Sequence, residues 1–150
     1  MRHLRASVGT LAACLLCIAM ANGQDDEATK KEMKVLEGTW LATSGEQNGM
    51  ATDKFNGDKL IIGEGKFTVY HEVNAVIKAK LKVDAGKKPK TIDVTISEGN
   101  ESGKTALGIY ELSGDVLKFC FEKPGGTDRP TEFKTKEGTE RMMVVLKKQS

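Results

Sequence analysis

Ala75-Val76-Ile77-Lys78-Ala79-Lys80-Leu81-Lys82-Val83-Asp84 is the stretch on which the fold turns. Ala75, Ile77, Ala79, Leu81 and Val83 alternate with Val76, Lys78, Lys80, Lys82 and Asp84. A period of two residues sends one set to a buried face and the other to water, which is the pattern of a half-buried strand. Thr91 to Ser97 repeats it, with Ile92, Val94 and Ile96 expected inward, and Gly86 to Lys90 is the turn between them. Working outward in both directions gives eight strand candidates. Lys59–Ile62 and Lys66–His71 form a hairpin across Gly63-Glu64-Gly65, and Thr105–Leu112 pairs with Val116–Glu122 across Ser113-Gly114-Asp115. Thr39–Ser44 opens the series, followed by a long polar connection through Asn48-Gly49 and Asn56-Gly57. Arg141–Lys148 ends it, apolar on both faces and therefore expected to be covered on both. Sequential antiparallel strands joined by short turns can close on themselves and leave no exposed edge. The expected fold is all-β, a small eight-stranded antiparallel up-and-down barrel.

A short helix, Asp25 to Glu37, precedes it, capped by Asp25 or Asp26, with Met33 and Leu36 on one face and Gly38 as its stop. It is too short to be stable alone and should lie against the barrel. Ahead of it, the basic Met1 to Arg5, the apolar Ala6 to Ala21 and the small-x-small close Ala19-Met20-Ala21 have the order of a secretory signal. The chain is expected to divide into a signal peptide (1–21), an N-terminal segment with the helix (22–35) and the barrel (36–150), and to be periplasmic or secreted. Leu11-Ala12-Ala13-Cys14 leaves a second route open, lipid attachment at Cys14, although the apolar run continues to Met20. No stable membrane insertion is expected once the signal is removed.

Removing Arg2 and Arg5 takes the 23 basic residues to 21, level with the 21 acidic ones. The basic balance belongs to the export signal, so nucleic acid is not an expected partner. Lysines 78, 80 and 82 alternate outward without interleaved aromatics and read as a solvated face. Cys120 alone remains of the three cysteines, so no internal disulfide holds the fold. No second histidine or paired cysteine joins His71, which leaves no metal site and no cofactor in prospect.

Gly38-Thr39-Trp40, directly after a helix and opening the first strand, resembles the Gly-x-Trp motif at the closed end of lipocalin-type barrels. With Leu36-Glu37, Lys87-Lys88-Pro89-Lys90, Leu107 to Leu112, Asp115 to Cys120 and Arg129-Pro130-Thr131-Glu132-Phe133, the chain is similar to a lipocalin-like family of small exported proteins abundant in planctomycete bacteria. The resemblance covers about Leu36 to Lys148. It implies the barrel, gives Gly38, Trp40 and Pro130 structural places, and implies no activity.

Trp40 should plug the closed end beneath Lys147 or Lys148, because antiparallel closure brings the end of the last strand to the start of the first. Phe67, Ile77, Leu81, Val94, Phe119 and Phe121 are candidates to line an interior ligand site. His71 shares parity with Phe67 and Val69 and is a candidate anchor. Arg129, in a glycine-rich loop at the expected rim, could grip a carboxylate; its plainer roles are a salt bridge with Glu132 or a backbone contact that shapes the loop. Cys120 should face away from the aromatic row and be inert. The leading expectation is a non-enzymatic barrel that binds a small apolar ligand; the alternative is a solid-core structural or interaction module of the envelope, with an enzyme built on Cys120, His71 or Arg129 last.

Overall fold

The computed structural model describes residues 22–150; the segment expected to be an export signal, its expected cleavage point and Cys14 lie outside the described residues. Helix α1 (Asn22–Leu36) leads into strands β1 (Gly38–Gln47), β2 (Met50–Thr52), β3 (Lys59–Gly63), β4 (Lys66–His71), β5 (Asn74–Asp84), β6 (Lys90–Ile96), β7 (Thr105–Ser113), β8 (Val116–Phe121) and β9 (Met142–Lys148). Every neighbouring pair is antiparallel, and β9 pairs with β1 from Trp40↔Lys148 to Gln47↔Met142. The result is a closed eight-stranded up-and-down barrel, with β2 as an added short strand and α1 against one end.

Alternation decides what is inside. Ala79, Leu81 and Val83 are buried while Lys78, Lys80 and Lys82 are exposed, and Ile92 and Val94 are buried across the next pairing. The rule fails at Ala75, expected inward and found exposed. Val69 pairs with Ile77 but Tyr70 with Ala75, so Val76 is an extra residue, and this bulge shifts the parity of everything before it. A second bulge, at Thr43, does the same in β1. There β1 changes neighbours on one side, pairing with β3 through Leu41 and with β2 from Gly45.

β2 was not among the expected strands. It exists because Asn48 and Gly49, at φ 54° and 76°, make a two-residue turn whose twist suits a hairpin, carrying β1 past its expected end at Ser44 to Gln47. Within the described residues the helix begins at Asn22, which puts Asp25 and Asp26 inside it rather than at its cap.

One end of the barrel is solid. Leu36, Trp40, Ile62, Ile92, Tyr110 and Leu117 are fully buried there. Gly38 enters β1 at φ 135°, a backbone value that side chains resist, with Lys148 Cε only 3.1 Å from where a Cβ would stand. That lysine lies over the Trp40 ring at 5.2 Å, so of the two expected cations it is the second that stacks. The indole N–H donates to the Leu36 carbonyl (2.9 Å), and Lys148 also donates to that of Val35 (3.4 Å), placing a cation at the helix C-terminus. Glu32 accepts from Lys90 (2.6 Å) and Tyr110 (3.2 Å) and fastens the C-terminal half of the helix. Burial, together with the Glu32 carboxylate, pushes the Tyr110 phenol well above its ordinary range, so it remains a donor.

The long segment between β8 and β9 is not a loose loop. It lies on the outer wall, where Ile109, Cys120 and Pro130 are buried. Thr135 donates from both its N–H and its hydroxyl to Glu46 (2.7 Å each), and these bonds hold the Glu46 carboxyl below its usual range. The outward side is thus buried at Cys120 of β8 and half-buried at Met143 and Val145 of β9, the cover that the two-sided apolarity of the last strand calls for.

Replacing Trp40 with Ala should cost about 3–5 kcal/mol, the usual range for an aromatic removed from a packed core. Urea denaturation followed by circular dichroism would measure it; a loss under 1 kcal/mol would deny the plug its place in the core.

Candidate functional site

The other end of the barrel is hollow. A cavity of about 430 Å³ opens there, walled by Ala42, Leu60, Phe67, Val69, Ile77, Phe119, Phe121, Met142, Val144 and Leu146. Its polar groups are confined to the mouth: Lys54, Asp58 and His71, beside Phe55 and Val76. A second lobe of about 220 Å³ adjoins it, reaching Val94, Ile96 and Ala106 and bounded outside by Glu122, Lys123 and Glu140. Phe67, Ile77, Phe121 and Met142 belong to both walls and form the partition.

The hollow is a consequence of side-chain size. Ala42 and Ala106 face inward at this end and leave room that larger residues would fill. Phe67 and Phe121 stand edge to face with centroids 6.5 Å apart, and Phe119 meets Phe67 at 6.1 Å. Phe121 can lean into the wall only because its cross-strand partner is Gly108; any Cβ there would collide with the ring. Phe55 is accommodated in the same way, its ring 2.5 Å from where a Cβ on Gly45 would lie.

The mouth is framed by the segment between β2 and β3. Asn56 and Asp58 donate backbone N–H groups to the carbonyls of Asp53 and Phe55 (both 3.0 Å), and the Asp58 carbonyl accepts from Ala42 (2.9 Å). These bonds fix Lys54, Phe55 and Asp58 over the opening. From β4, His71 brings Nδ1 to 2.7 Å from Asp58 Oδ1. The hydrogen bond to Asp58, then its charge, raises the His71 pKa above the ordinary value.

Of the expected lining residues, Phe67, Ile77, Phe119 and Phe121 wall the main cavity, and His71 stands at its mouth rather than deep inside. Val94 lines the second lobe, and Leu81 is buried in the core beyond both. Arg129 is elsewhere. Its guanidinium donates to the Gly108 and Ile92 carbonyls (2.8 and 3.3 Å) and to Asp93 (2.7 Å), which ties the long segment to the outside of β6 and β7. Glu132 pairs instead with Lys134. Lys54, Phe55 and Asp58 were not foreseen, since they stand in a connection without periodicity.

Cys120 faces outward, its thiol 3.7 Å from the Lys134 carbonyl, while His71 borders the cavity; the two share no site. Burial raises the thiol pKa, the opposite of what a nucleophile needs.

A closed eight-stranded antiparallel barrel with one plugged end, one open end and an N-terminal helix defines the class, a β-barrel consistent with a lipocalin-like fold. No family model, no curated protein and no solved structure matches the chain.

His71 is the one histidine among residues 22–150, so its ring signals can be followed without ambiguity by NMR. They should titrate above about pH 6.5, and Asp58→Asn should bring the midpoint back to that ordinary value. Because pairing raises the folded-state pKa, the stability it lends is complete below about pH 6.5 and is lost as pH climbs through the raised value. Separately, the Cys120 thiol should resist a disulfide reagent in the native protein and react fully in denaturant, as absorbance at neutral pH would record.

Proposed function

We propose that this is an exported, non-enzymatic binding protein that takes one small, largely apolar molecule into the open half of its barrel. The observation that supports this most is the apolar cavity of about 430 Å³ with polar groups at its mouth alone. Its size falls within the roughly 300–1,000 Å³ of sites that enclose drug-sized molecules. Apolar surface moved into such a wall gains about 25 cal/mol per Å² removed from water, and the absence of polar partners deep inside disfavours a sugar or nucleotide. An interaction module would call for a filled interior, and only the plugged end meets that description.

Export rests on the signal-like Met1 to Ala21. Release into the periplasm or beyond follows from cleavage near Asn22, and tethering follows instead if Cys14 carries a lipid. The Gly38-Thr39-Trp40 motif and the resemblance over Leu36 to Lys148 support membership of the lipocalin-like family of small planctomycete proteins. No cofactor enters this reading.

A neutral dye such as N-phenylnaphthylamine, which brightens on leaving water, tests it. The expected result is saturable enhancement at one dye per chain. Ala42→Phe, which sets a ring into the hollow, should abolish the signal while the far-ultraviolet circular dichroism spectrum is retained, and Val144→Phe should repeat the effect from another strand. The reading fails if the unaltered protein gives no saturable signal.

A further inference from the structure

We infer that Asn100 is a glycosylation site, its side-chain amide taking the sugar of a lipid-diphosphate-linked oligosaccharide beyond the cytoplasmic membrane. This rests on the export half of the reading above and asks nothing of the cavity.

Of the five asparagines in the chain, only Asn100 is followed two residues later by a hydroxyl, in Asn100-Glu101-Ser102. That spacing has a physical meaning. In an extended chain residues two apart share a face, so an enzyme that draws the segment out straight meets the Asn100 amide and the Ser102 hydroxyl side by side. Glu101 between them is not the proline that acceptor sequences exclude.

The fold puts this segment where a large enzyme can reach it. Ser97 to Lys104, the turn from β6 to β7, is exposed throughout. Gly99 and Gly103, at φ 94° and 87°, flank the three residues, and nothing lies within 4 Å of where their Cβ atoms would stand. The base of the turn is firm: the Gly103 N–H donates to the Ile96 carbonyl (2.8 Å) and the Ile96 N–H to that of Lys104 (2.9 Å). Its tip is held by less. Ser102 donates its N–H to the Gly99 carbonyl and its hydroxyl to that of Ser97, each at 3.1 Å, and the ion pairs Lys78–Glu98 and Lys104–Glu101 are open to water. The tip can therefore open at small cost while the strands stay paired. The Asn100 amide has no hydrogen-bond partner among the described residues, whereas that of Asn56 is taken by Asp53 (3.1 Å).

In the reaction the Asn100 amide nitrogen attacks the anomeric carbon of the donor sugar. The new C–N bond forms as the bond from that carbon to the diphosphate oxygen breaks; the lipid diphosphate leaves with the electron pair, and the amide proton passes to a base of the transferase. The plainer account of the segment is a string of polar residues suited to a turn, and it expects no added mass.

The test is to produce the full chain in a bacterial host that carries an oligosaccharyltransferase and its undecaprenyl-diphosphate-linked glycan, and to take mass spectra of the exported and retained fractions. The expected result is an exported chain with one glycan, mapped to Asn100. Asn100→Gln and Ser102→Ala should abolish the added mass, and Ser102→Thr, which keeps the hydroxyl, should retain it. The turn is exposed and Asn100 lines neither lobe of the cavity, so all three variants should melt and bind dye like the parent protein. A chain that is exported but unmodified, or a glycan that persists in Asn100→Gln, would overturn the site and leave export standing. A chain found only inside the cell would bring down the export reading, and this inference with it.

Discussion

The hydrogen-bonded seam between β1 and β9 is what makes the rest possible. Eight sheet strands have an inside only if the first and last meet, and here they meet along the whole of β9, Trp40 opposite Lys148 at one end and Gln47 opposite Met142 at the other. Once the seam is formed, no strand of the barrel proper presents an unpaired edge, and the two-residue alternation along each strand sorts side chains into interior and exterior. The seam also delivers Lys148 to the Trp40 ring and thence to the helix, so closing the barrel and plugging it are one event.

Bulges at Thr43 and Val76 qualify this sorting, both toward the open half. They bend β1 and β5 and reassign which residues look inward. Toward the other end the alternation is unbroken and large side chains meet across the barrel. The same eight strands thereby enclose a packed core at one end and a hollow at the other, the difference being made by Ala42, Ala106 and Gly108 in place of larger residues. A rigid half supports an accessible half, an arrangement suited to a site that must stay open.

How far this was legible depended on whether the signal was periodic. Ile77 to Val83 and Ile92 to Val94 could be placed from alternation, and the Trp40–Lys148 stack from the geometry of antiparallel closure. Ala75 could not, because a bulge is one residue of phase shift with no composition of its own. Asn48-Gly49 did carry a hairpin signal, but the strand after it is only three residues long and was absorbed into a polar connection. Lys54, Phe55 and Asp58 belong to that connection, and only the folded chain reveals that it crosses the mouth. Arg129 was open to three readings, a carboxylate grip, a salt bridge with Glu132 or a backbone contact shaping its loop, and its partners Ile92, Asp93 and Gly108 come from strands distant in sequence, where neither spacing nor charge pattern reaches.

The strap over the outer wall has a bearing on how the chain reaches this state. It is pinned to β6 and β7 by Arg129 and to β1 by Thr135, and so bridges both flanks of the seam. The strands it draws together are remote, Thr43 and Val145 being 102 residues apart. Contacts of that span are slow to form, because the chain must surrender most of its freedom before they repay it. During synthesis from the N-terminus, the edge of β1 that pairs with β9 stays open until β9 has emerged, the interval in which such edges recruit one another. The strap lies immediately upstream of β9, so the guide for the final strand emerges before the strand it positions.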